Sequence, residues 1–163
     1  MGTIYQAVFL KEMISFGYSY KIIASETGLP VRKLIKLYGN LENIGFCLFS
    51  KPGKTPSGAT LIRNLQLKTQ ASLAMNIYFS LVKDSIYHSV NSRKLAISFY
   101  MYQALCQENE ISSMFNINEL WYLAQELRDG QALIERCEQC EFNYFQSIHQ
   151  RMQADCPFCN QVS

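Results

Sequence analysis

Residues 137–160 read CEQCEFNYFQSIHQRMQADCPFCN and hold four of the six cysteines of this 163-residue chain. Cys137 and Cys140 form one CxxC pair, Cys156 and Cys159 form another, and 15 residues separate them. Each CxxC turn bends its two sulfurs to one side, and a spacer of this length lets the second pair fold back onto the first. That is the pattern of a four-thiolate zinc site. Four thiolates leave one bound Zn2+ no open position for water or substrate, so the metal is read as structural. The spacer alternates Phe142, Tyr144, Gln146 and Ile148 in the manner of a strand. A small zinc ribbon is therefore predicted over residues 131–163, with Phe142, Phe145 and Phe158 packed around the metal.

Other readings of the cysteines are weaker. An iron–sulfur cluster uses the same four ligands, whereas thiol redox chemistry needs only one CxxC and a βαβ setting, which the sequence lacks. His149, inside the spacer, reads as a surface turn residue rather than a ligand. Cys47 and Cys106 have no CxxC neighbour and read as buried small hydrophobes. Loading a dication onto four thiolates displaces about four protons and takes the formal charge from +2 to roughly zero.

Working back from the cysteines, three stretches have helical length and apolar spacing: Ala59 to Val90, Arg93 to Gln107 and Ile117 to Arg128, the last broken by Asp129-Gly130. Ahead of them KPGKTPSG, residues 51–58, reads as a loop with two prolines and two glycines. The expectation is a mainly α protein with four parts: a helix-turn-helix-like unit over 1–44, a loop over 45–60, a helical body over 61–130, and the ribbon. With 48% hydrophobic and 17% charged residues, the composition excludes a disordered chain.

The amino-terminal unit rests on SYKIIASETGLPVRKLIKLYGNL, residues 19–41, read as helix, turn, helix. Ser19 is placed to cap the first helix, Gly28 to take the left-handed conformation at its end, Pro30 to open the second, and Gly39-Asn40 to stop it. Ala24, Gly28 and Leu34 have the spacing of a compact DNA-reading unit, with Ile23, Leu29 and Leu37 at the accompanying core positions. At about 100° per residue, Val31, Leu34, Ile35, Leu37 and Tyr38 fall on one side of the second helix and Arg32, Lys33 and Lys36 on the other. A buried stripe backed by a cationic face suits a helix laid along DNA. Arg32 is the candidate for a guanine edge, and Lys33 and Lys36 for phosphate. Lys51 and Lys54, in the loop, are candidate DNA-facing charges.

Charge is graded along the chain. Residues 1–60 carry seven Lys or Arg against three acids, residues 61–104 five against one, and residues 105–163 three against nine. An anionic partner is thus expected at the first two-thirds and a solvated or protein-facing surface at the rest. PGKTP does not make a phosphate loop, because GxxxxGK[ST] needs glycine where Leu48 stands and Pro56 obstructs the helix that would follow. With only His88 and His149 as histidines and no GxSxG, no catalytic constellation can be assembled. Neither an enzyme nor a small-molecule substrate is expected. No apolar run of 18 residues and no signal-peptide pattern is present, so no membrane association and a cytoplasmic location are expected.

Taken together, these features resemble the FlhC subunits of bacterial flagellar master transcriptional activators. The likeness is carried by SETGLPVRKLIKLYGNL at 25–41, by ASLAMNIYFSLV at 71–82, by YMYQALCQ at 100–107, by the spacing of Trp121, Gly130 and Cys137, and by the paired CxxC. It implies a helical protein with Cys137, Cys140, Cys156 and Cys159 as zinc ligands, assembled with an FlhD-type subunit into a hetero-oligomer that binds double-stranded promoter DNA and recruits RNA polymerase. Family members usually run on into a basic tail beyond the second CxxC, whereas this chain stops four residues after Cys159, so the DNA affinity placed there is expected to be missing or supplied by the partner. The looser middle suits a relative that controls conjugative transfer as well as one that controls flagella. From the residues alone, a zinc-stabilised protein–protein adaptor without direct DNA contact is the alternative.

Overall fold

The computed structural model describes residues 2–38, 56–153 and 155–159, and the chain divides into two compact units, Met1–Lys54 and Thr55–Ser163. It is mainly helical, as the apolar spacing predicted. Gly39-Asn40, Cys47, Lys51 and Lys54 lie outside the described residues.

In the first unit α1 (Gly2–Ser15), α2 (Tyr20–Thr27) and α3 (Val31–Tyr38) follow one another, and α2 packs on both neighbours. Gly17 turns the chain after α1 at φ 85°, and the Tyr18 N–H returns to the Met13 carbonyl at 3.1 Å. Ser19 occupies the position before α2 with extended backbone, but its side chain makes no capping bond. Gly28 ends α2 at φ 69° and donates its N–H to the Ala24 carbonyl at 2.9 Å, the left-handed close that glycine adopts without a Cβ penalty. The Pro30 carbonyl then accepts from Leu34 N at 3.2 Å, so α3 begins after a three-residue turn, 28–30.

The three described residues of the stripe expected on α3 are not equally buried. Leu34 is fully buried, but Val31 and Ile35 are 38% and 37% exposed, and the side chains of Leu37 and Tyr38 are outside the described set.

The second unit runs α4 (Gly58–Leu61), α5 (Leu65–Val82), a 3₁₀ turn (Lys83–Tyr87), α6 (Ser92–Glu108), α7 (Ile117–Arg128), β1 (Ala132–Arg136) and β2 (Asn143–Ser147). α6 and α7 match their expected extents closely, while the stretch expected as one helix from 59 to 90 is three pieces. Asn64 is the cause of the first break: its side chain accepts from Leu67 N at 2.8 Å and starts α5 afresh. Lys83, at φ 52°, ends it. α4 starts at Gly58, inside the stretch read as loop, behind a Ser57–Thr60 capping box. A second capping box opens α7, where Asn116 Oδ1 accepts from Glu119 N at 3.0 Å and Glu119 Oε2 accepts from Asn116 N at 2.9 Å.

α5 is the spine of this unit, touching α6, α7 and the sheet. Ala71, Ala74, Met75 and Tyr78 of α5 are sealed against Leu95 and Tyr102 of α6 and Leu120, Leu123 and Leu127 of α7, none of them accessible to water. Small alanines let the helices approach and large rings fill between them. Gly130, left-handed at φ 69°, turns the chain out of α7 into β1.

β1 and β2 pair antiparallel, from Ala132 opposite Ser147 to Arg136 opposite Asn143. The alternation expected for β2 does not hold. Tyr144, Phe145 and Ser147 are buried, whereas Phe142 and Ile148 are 62% and 71% exposed. Both faces of β2 are covered, because the adjacent residues Tyr144 and Phe145, which point to opposite faces, are both buried, Tyr144 among the cysteines. A strand buried on two sides has no reason to alternate.

Candidate metal centre and cationic helix

β1 and β2 bring the first CxxC into a tight knuckle. Cys137 N–H donates to the Phe142 carbonyl and Glu141 N–H to the Cys137 carbonyl, each at 2.9 Å, with Glu141 left-handed at φ 61°. The segment after β2 returns Cys156 and Cys159 beside it. Cys137 and Cys159 sulfurs are 3.5 Å apart, Cys140 and Cys156 sulfurs 3.6 Å, and all four lie within 4.8 Å of one another. A metal about 2.3 Å from each of four tetrahedral sulfurs sets them about 3.8 Å apart, so the residues fit such an ion. A disulfide requires about 2.05 Å, and these cysteines are free thiols.

The thiols differ in their surroundings. Backbone N–H groups of Cys140 and Gln139 aimed at the Cys137 sulfur hold its thiol down to about 6. Cys159, hydrogen-bonded to Cys140 and Cys137, is pushed up to about 12, and burial pushes Cys156 up. Cys137, Cys156 and Tyr144 form one buried cluster with Cys140, Cys159 and Phe158 against it. Phe142 meets Phe158 with ring centroids 5.7 Å apart. Phe145 does not join them: it is buried, with its N–H bonded to Ser72 of α5 at 3.1 Å. His149 is exposed at a turn, as expected, and Cys106 is buried in α6.

Sequence reasoning missed three parts of this centre. β1 carries Ala132, Leu133 and Ile134 in a short mixed run without clear alternation. Glu126 is buried, accepting from Gly58 N–H at 2.7 Å and from the Ser147 hydroxyl at 2.6 Å, partners far away in sequence. Lys68 is buried too, and its ammonium donates to the Gln153 carbonyl at 2.7 Å and to the Asp155 carbonyl. One signal for Lys68 was available, since it is the sole charge in the 18 residues of α5.

On α3, Arg32, Lys33 and Lys36 are all exposed. They span an arc of about 100°, with Leu34 about 150° from its centre. The buried leucine thus fixes the helix with its cations outward. In the second unit α6 shows the opposite surface: Ile97, Tyr100, Met101 and Leu105, at i, i+3, i+4 and i+8, are between 37% and 50% exposed. No charged residue interrupts α6 from 95 to 107. Among the described residues no helix is long and apolar enough to cross a membrane.

With this geometry in hand, comparison with known proteins is decisive. The family profile described as Flagellar transcriptional activator (FlhC) matches residues 3–163. The chain belongs to the FlhC family. Among individual relatives, the flagellar transcriptional regulator FlhC of Cupriavidus necator is 27% identical over 135 residues, which cover 82% of this chain and 63% of that protein. The chain thus spans somewhat under two-thirds of the length of that relative.

Proposed function

We propose that this chain is the DNA-contacting subunit of a hetero-oligomeric transcriptional activator. In this reading it binds double-stranded promoter DNA together with an FlhD-type partner and recruits RNA polymerase to flagellar or conjugative-transfer genes. Membership of the FlhC family carries the reading. The exposed cations of α3 support the DNA part: Arg32 would read a base edge while Lys33 and Lys36, with Lys51 and Lys54, neutralise phosphates. The uncharged, exposed face of α6 supports the partner part, because a stripe of four large apolar side chains in water is stabilised by a covering subunit.

The four sulfurs would hold one structural Zn2+ through Cys137, Cys140, Cys156 and Cys159. When bound, the ion supplies cross-links between the two knuckles and no reactive position. The chain's own residues do the rest: β1 and β2 present the first pair, and α5 anchors the segment that presents the second.

Salt dependence tests the DNA reading. With about six phosphates neutralised, promoter affinity of the complex with its FlhD-type partner should fall about a thousandfold between 50 and 200 mM salt. Lys36→Ala should weaken binding to all duplexes and flatten that slope by about one unit, whereas Arg32→Ala should weaken binding and relax discrimination at one base position, both measured by fluorescence anisotropy on promoter duplexes. If both variants keep native promoter affinity and lose only a protein contact, the chain is an adaptor instead.

A further inference from the structure

α5 meets the ribbon through a ladder of polar side chains at i, i+4 and i+8. Lys68 donates to the Gln153 and Asp155 carbonyls, the Ser72 hydroxyl accepts from Phe145 N at 3.1 Å, and the Asn76 amide donates to the Asn143 carbonyl. Such residues lie within about 80° on one helix face and extend over about 12 Å of it. Two rungs hold β2. The third, Lys68, holds the backbone that leads into Cys156.

Lys68 differs from the other rungs in carrying charge. Only 1% of its surface is exposed, and a buried ammonium persists only where hydrogen bonds and negative charge compensate for lost water. The two carbonyls supply hydrogen bonds. The Tyr144 ring, 5.4 Å from Nζ to centroid, supplies a cation–π face and belongs to the cysteine cluster. Asp155, Cys156 and Glu135 supply the nearby negative charge. Four thiolates around a dication leave a formal charge of −2, which gives the ammonium a strong counter-charge at that spot.

We infer that Lys68 is a positioning residue of the metal centre, fixing the backbone that delivers Cys156 and offsetting the excess negative charge of four metal-bound thiolates. The inference rests on the four cysteines binding Zn2+.

The test uses the full chain purified in complex with its partner and loaded with zinc, with transfer of Zn2+ to a chromogenic chelator as the readout. Lys68→Met removes the charge and the donors; Lys68→Gln removes the charge and keeps an amide donor. Both should release zinc faster, by about 10- to 100-fold for Lys68→Met, the range typical when an outer partner of a metal site is removed. At saturation with Co2+, both should still give the tetrahedral thiolate spectrum. Asn116→Ala, which removes the α7 cap, should leave zinc release at the native rate.

Native zinc retention in Lys68→Met and Lys68→Gln would overturn the inference, as would equal acceleration by Asn116→Ala, which would mark the effect as general destabilisation. Should Lys68→Met fail to fold, Lys68→Gln decides: faster release supports the role and native retention removes it. A native protein that takes up no zinc would instead defeat the metal reading itself.

Discussion

Gly58 shows how narrowly single positions are specified. At the start of α4 its N–H points at the buried carboxylate of Glu126, which also takes the Ser147 hydroxyl. A Cβ added there would lie 2.6 Å from Ser147 Cβ and 3.0 Å from Glu126 Oε2. Ser147 is on a paired strand and cannot retreat. Gly58→Ala should therefore destabilise the second unit by about 1–3 kcal/mol, the usual cost of overpacking a filled site, seen as a lower urea midpoint with unchanged slope. None of this was legible in the sequence, where Gly58 reads as a loop glycine beside Pro56. Its partners stand 68 residues away at Glu126 and, through that carboxylate, at Ser147. The cysteines were legible because the chemistry that fixes them is local: each CxxC knuckle is closed within four residues.

At the scale of elements, helices with continuous apolar faces were readable and interruptions were not. α6 buries one face, α7 is buried around most of its circumference, and both begin at Asn caps, so apolar length and punctuation agree. Asn64 carries the same signal inside an apolar run, where it is easily taken for a tolerated helix residue. β2 misled for another reason: two covered faces erase alternation, and only the tertiary packing decides which residues go in. The ribbon itself is two strands of five residues, too small for independent stability in water. Its order therefore depends on α5 and, in the proposed reading, on a metal held by the four sulfurs. Chelating the metal should speed amide exchange across residues 137–159 strongly while α5, α6 and α7 keep most of their protection, measured by hydrogen-exchange mass spectrometry. Exchange that changes uniformly over the second unit, or not at all, would contradict this division.

For the whole molecule, alkaline pH probes how the tyrosines are packed. Burial pushes Tyr102 up to about 12, where the Gln70 side chain and Met114 N–H meet its hydroxyl. Tyr144 is likewise pushed up to about 12, by burial first and then by Glu135, and burial raises Tyr122. A folded-state pKa above the unfolded value of about 10 means that the native state binds these protons more tightly. The stabilisation is complete below pH 10 and is lost as pH climbs through 12. Lys68, lowered by burial, works in the direction opposite to the three tyrosines. Stability to urea should consequently fall between about pH 10 and 12, and Tyr102→Phe should make that fall shallower. The charge gradient along the chain, readable from the first residue, separates basic front from acidic rear, whereas the exposed face of α6 could not be told from a buried one by its pattern.

The order in which the sulfurs enter the chain has one more consequence. Synthesis produces α5, α6 and α7 before it reaches Cys156 and Cys159, and domains generally begin to fold from the end made first. The body that will receive the second knuckle can thus be in place on the ribosome while half of the thiolate cage is still unmade. If the four sulfurs take up an ion as proposed, its capture acts as a late latch, closing only on a polypeptide translated past its fourth sulfur.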